Sequence, residues 1–162
     1  MTEREPADRD LTDGLAQYRA GLEAEIALLG QLEVVAGRQR GDTVRRNFEQ
    51  LGVAGEERDR LTRALVSLEQ DLRPVRARLH HARDFVAHFT GYTEVLDLRQ
   101  RAGALVARIL ATDQESMQSL ADAELARRAA VASLEQGETT LAAYRRVLTP
   151  SLAHASLVDR RG

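Results

Sequence analysis

The chain has 162 residues, 43% of them hydrophobic and 30% charged, which suits one domain with a core and argues against disorder throughout. Cysteine is absent, which excludes disulfides, thiolate catalysis and cysteine-ligated metal centres. The 23 basic residues are all arginine and face 25 acidic ones, so a net charge of −2 argues against a strongly basic nucleic-acid binder, while the missing lysine removes Schiff-base chemistry.

Residues 1–10 (MTEREPADRD) mix charges of both signs around Pro6 and offer nothing to bury, so a disordered lead-in is expected. They lack the apolar core of a signal peptide, and no later window reaches the roughly 20 apolar residues of a membrane span. The expected location is therefore the cytoplasm. From Leu11 the apolar positions Leu15, Tyr18, Leu22, Ile26, Leu29 and Leu32 follow at spacings of three or four, the stripe of one helix face. Asp10 is the expected N-cap, and Gly37–Gly41 (GRQRG) the expected stop. A short helix with Val44, Phe48 and Leu51 follows, then a break or kink at Gly52–Gly55.

The clearest pattern is Leu61, Leu65, Leu68, Leu72, Val75, Leu79, Ala82, Val86 and Phe89, four heptads of a coiled-coil seam about 42 Å long. Pro74 lies inside it and predicts a kink. Thr90-Gly91 is the next stop. A third long segment over residues 93–148 starts with Val95, Leu98, Ala102, Leu105 and Ile109 and weakens through Thr112 and Ser116. A later stripe uses Val131, Leu134, Leu141 and Leu148, interrupted by Glu138, after an Ala-rich and charged middle that has little to bury. No alternating run supports a strand. The expected fold is all-α: an antiparallel coiled-coil hairpin or bundle of three long helices plus a short one, one domain over 11–148, with 149–162 as a flexible tail.

A search for chemistry finds no Glu-x-x-His pair, no glycine-rich phosphate loop and no G-x-S-x-G elbow, so no enzyme, cofactor or metal is expected. The i, i+4, i+8 spacing of His80, Asp84 and His88 puts them on one helical face, where they read either as metal ligands or, better, as a solvated polar face. Phe85, Phe89 and Tyr92 read as an aromatic plug at the end of a bundle or as a recognition patch. The arginine pairs at 45–46, 127–128, 145–146 and 160–161 have acidic neighbours and read as solvated helix faces.

The order of features resembles a family. Tyr18-Arg19, Leu22, Glu25 and Leu28-Leu29 lead to Gly41-Asp42; Glu57-Arg58 feeds Leu61, Leu65, Leu68-Glu69 and the string Leu72–Leu79; Ile109–Glu115 precedes an Ala/Arg-rich helix ending in Leu141-Ala142-Ala143-Tyr144-Arg145. Over residues 11–148 this is similar to the FlgN/FliT-type flagellar export chaperones. Gly52–Gly55 and Phe85–Tyr92 depart from the family pattern. The resemblance implies a small all-helical, non-enzymatic type III secretion chaperone that binds the helical end of a hook-associated or filament-cap subunit. It implies further that the C-terminal helix makes the contact, here through Val131, Leu134, Leu141, Tyr144 and Leu148. The same residues could instead finish the bundle core. The alternative function is a structural coiled-coil protein that self-associates through the Leu61–Phe89 seam.

Overall fold

The computed structural model describes the backbone of residues 4–148 and the side chains of residues 8–143. Four helices occur in this range: α1 (Arg4–Arg45), α2 (Phe48–His81), the single turn α3 (Arg83–Val86) and α4 (Tyr92–Leu148). No strand is present among the described residues, so the fold is all-α with three long helices and a short one. The chain divides into two compact units, Met1–Ser119 and Leu120–Gly162. The expected tail over 149–162 lies outside the described residues.

In the first unit, the 3–4 stripe of α1 is buried against α2 and α4. Leu15, Tyr18 and Leu22 meet Leu72, Val75, Leu79, Val86, Val95 and Leu98 in one apolar cluster. Leu29, Leu32 and Ala36 meet Ala102 and Ile109 in a second, with Leu61, Leu65 and Leu105 at its edge. Ile26 touches both. Periodicity therefore predicted the core correctly, since each of these stripes buries one face of a helix.

Ion pairs display the registers. Arg38 to Glu57 (2.6 Å) and Arg78 to Asp10 (3.3 Å) cross an antiparallel α1–α2 hairpin. On the other side, Arg19 to Glu94, Arg108 to Glu33 and Arg40 to Glu115 each join a residue of α1 to the one 75 positions later, at 2.6–2.7 Å. A constant offset means that α1 and α4 run parallel. Exposed pairs of this kind contribute little individually, so they report the register more than they enforce it. Arg58 is different: it donates two hydrogen bonds to Asp113, at 2.7 and 2.5 Å, and one to the Gln39 carbonyl oxygen at 2.9 Å. This partly buried clasp joins all three long helices, and the Asp113 bonds hold the guanidinium pKa above its ordinary value.

Several predicted boundaries move. Arg4–Asp10 is helical, not a lead-in, and Asp10 is an interior residue that pairs with Arg78 rather than a cap. The stop at Gly37–Gly41 does not occur. Helix α1 continues to Arg45 because Ala36 and Thr43 are buried and Arg38, Gln39 and Arg40 all bond across to neighbouring helices. Those tertiary contacts offset the roughly 1 kcal/mol that each glycine costs. The real turn is Arg46, in the left-handed region at φ 57°, followed by Asn47, whose side chain accepts from the Gln50 N–H and caps α2. Helix α2 then runs unbroken through Gly52–Gly55, where Ala54 is buried, and through Pro74. Pro74 sits on the exposed face between buried Leu72 and Val75, so the carbonyl it orphans faces water.

The Leu61–Phe89 seam is buried or half-buried along its whole length, but it is not one helix. α2 ends at His81, and Val86 and Phe89 reach the core from the connection to α4. Phe85 and Phe89 meet edge to face at 5.3 Å; Phe89 and Tyr92 close the first cluster and Phe85 lies at its rim, an arrangement that fits a plug.

One carboxylate in the bundle is poorly matched. Burial raises the pKa of Glu25 above the ordinary 4.5, and the nearby Glu69 charge raises it further, against a smaller opposing effect of Arg76. A raised carboxylate binds its proton better in the folded state, so it penalises folding above the folded pKa and not below the unfolded one. The Glu25→Gln variant is expected to melt slightly higher than wild type at pH 7. The difference should shrink to nothing below pH 4.5; thermal melts across this range test it, and a constant offset would point to a different cause.

Candidate partner-binding helix

The second unit is described up to Leu148 in backbone and Ala143 in side chains, all of it helix α4. None of residues 120–143 is buried. Leu120, Glu124, Arg127, Val131, Leu134, Glu138 and Leu141 alternate at spacings of four and three, so they line one face of the helix. Val131 is 43% exposed, Leu134 70% and Leu141 60%. These three predicted contact residues therefore share one face, and the described residues leave it open. The side chains of Tyr144 and Leu148 lie outside the described residues.

The face is not uniformly apolar. Glu124 accepts two hydrogen bonds from Arg127 at 2.8 and 3.0 Å and one from Arg128 at 2.8 Å. These arginines hold the Glu124 carboxyl at about 2, far below the ordinary carboxylate range. A locked charge layer between Leu120 and Val131 is the feature the sequence reading missed; the signal was Glu124, Arg127 and Arg128 at spacings of three and four. Polar layers within an apolar seam set register and partner choice in coiled coils.

The first unit has its own open apolar side chains on α4: Val106, Leu110 and Met117, at 40, 61 and 70% exposure. Their face is set apart from the Leu98, Ala102 and Ile109 stripe that enters the core. The expected decline of the buried stripe is also seen, since Thr112, Ser116 and Ser119 succeed Ile109 as half-buried positions. The turn between α1 and α2 exposes Val44, Phe48 and Val53.

His80 belongs to α2, whereas Asp84 and His88 follow the break at Ala82. The three therefore do not line one continuous helical face, and no group of three His, Cys, Asp or Glu is placed to hold a metal ion among the described residues. No helix among them is long and apolar enough to cross a membrane. No family model, curated protein or solved structure matches the chain.

Proposed function

We propose that the protein is a non-enzymatic helix-binding chaperone of the FlgN/FliT type, acting in the cytoplasm on a secreted flagellar subunit. The observation that carries this reading is the open face of Val131, Leu134 and Leu141 on a helix whose residues 120–143 bury nothing. An isolated helix with such a face has no local reason to retain large aliphatic groups in water. Their i, i+3 and i+10 positions, with Glu138 at i+7, lie on the single face by which an amphipathic helix anchors a second helix. The chaperone's substrate is a helical terminus of a hook-associated or filament-cap subunit, whose own apolar stripe aggregates unless covered.

Self-association is the weaker reading. The Leu61–Phe89 seam on which it rested is used within the chain, against α1 and α4. Capture assays with purified hook-associated and filament-cap subunits test the chaperone reading. The full chain is expected to form a complex of defined stoichiometry, and a chain ending at Ala130 to lose it while melting as before. Binding that survives the truncation, or no subunit captured by the full chain, would overturn the proposal. Sedimentation of the free protein completes the test, since a stable homo-oligomer would favour self-association.

A further inference from the structure

Where α2, α3 and the start of α4 converge on α1, the first unit holds a cleft of about 560 Å³. This is within the usual range for a small-molecule site. Its floor is apolar and aromatic: Leu15, Tyr18, Leu79, Val86 and Val95 are all nine-tenths or more buried, and Tyr92 is half-buried. Its polar lining has one sign. Arg76, Arg83 and Arg99 contribute guanidiniums, His80 and His81 contribute imidazoles, and no carboxylate lines it, in a chain whose net charge is −2.

These groups are held to different degrees. Arg76 is bonded to Glu69, which partly neutralises it. Arg83 pairs at 3.4 Å with Asp84, a carboxylate 95% exposed and therefore a weak competitor. The His81 Nδ1 meets the Ala77 carbonyl at 2.7 Å. Arg99 forms no ion pair or side-chain hydrogen bond among the described residues. A guanidinium left over at the rim of an apolar cleft offers a planar, two-pronged donor to an oxyanion. Above that buried floor, Leu96, 43% exposed, and half-buried Tyr92 supply the open surface that a hydrocarbon or aryl body would cover.

We infer that this cleft binds a small amphiphilic anion, an apolar body bearing one carboxylate or phosphate, with Arg99 as its main charge partner. The site is separate from the α4 face at Val131–Leu141 and stands whether or not that face binds a subunit. Charge and body are both required: a bare oxyanion gains no apolar burial, and an uncharged body leaves Arg99 without its partner.

Calorimetry with four probes, decanoate, decanol, acetate and inorganic phosphate, separates the contributions. Decanoate is expected to bind with 1:1 stoichiometry, at least tenfold more tightly than decanol, which lacks the charge, or acetate, which lacks the body. The Arg99→Gln variant should lose at least fivefold in decanoate affinity with an unchanged melting curve, whereas Arg127→Gln, outside the cleft lining, should bind as wild type. Inorganic phosphate matching decanoate would reduce the site to a general anion patch and overturn the inference. So would decanol binding as well as decanoate, or Arg99→Gln binding decanoate normally.

Discussion

Alanine at Gly21 is expected to destabilise the protein by about 1–2 kcal/mol, even though alanine is the better helix former by about 1 kcal/mol. The reason is Leu72. A Cβ at position 21 would lie 2.6 Å from the Leu72 Cδ1 and 2.9 Å from its Cγ, well inside contact distance. Leu72 is 5% exposed and packed in the first core cluster, so any retreat gives up contacts there. One heptad earlier, Gly14 faces Leu79, but there a Cβ would stand 3.8 Å from Leu79 Cδ2 and 4.0 Å from Val75. Gly14→Ala should therefore stabilise by about 0.5–1 kcal/mol. Two glycines on the same buried face thus respond with opposite sign, and the gap above each one decides it.

Leu72→Ala alone should cost about 3 kcal/mol through lost burial and a cavity. In the double variant the new methyl at 21 enters the space Leu72 vacates. Its loss should then fall short of the sum of the single losses by at least about 1 kcal/mol. Chemical denaturation of the four proteins closes this cycle. Strict additivity would mean that Gly21 and Leu72 do not meet.

The second large effect contrasts two leucines of α4. Leu98 is 9% exposed within the first cluster; Leu134 is 70% exposed. Aspartate at 98 places a charge among Leu22, Val75 and Val86 and should destabilise by about 3 kcal/mol or more. Aspartate at 134 should change stability by less than about 0.5 kcal/mol. Under the chaperone proposal it should nonetheless weaken capture of the flagellar subunit at least tenfold, about 1.4 kcal/mol of binding free energy. Melting curves and binding isotherms on both variants separate these roles. A Leu134→Asp protein that melts early would show that the face is structural, and one that binds normally would remove it from the interface.

Legibility differed sharply between patterns and punctuation. The stripes at Leu15–Leu32, Leu61–Phe89 and Val95–Ile109 were read correctly because helical periodicity encodes a buried face whatever it is buried against. Glycine misled. Gly37, Gly41, Gly52 and Gly55 carry intrinsic costs near 1 kcal/mol each, small enough for the Arg38–Glu57 and Arg58–Asp113 contacts and buried Ala36 and Ala54 to override. The operative turn used Arg46 and Asn47, and only the asparagine cap was visible as a local signal. For the candidate face, the sequence pointed to Val131, Leu134 and Leu141 without deciding between core and contact surface, because a 3–4 stripe looks the same in both settings.

What the sequence determined alone was the all-α class, the members of the core and the lack of cysteine and lysine chemistry, since these follow from composition and from periods internal to each segment. What only the tertiary structure decided was pairing. The 75-residue offset that sets α1 parallel to α4, the Arg58–Asp113 clasp, the collision of position 21 with Leu72 and the one-signed lining of the cleft all join residues distant in the chain. Helical periodicity specifies which face of a helix is apolar, but not which other face it meets; that choice is made by side-chain shape and charge once the helices are brought together.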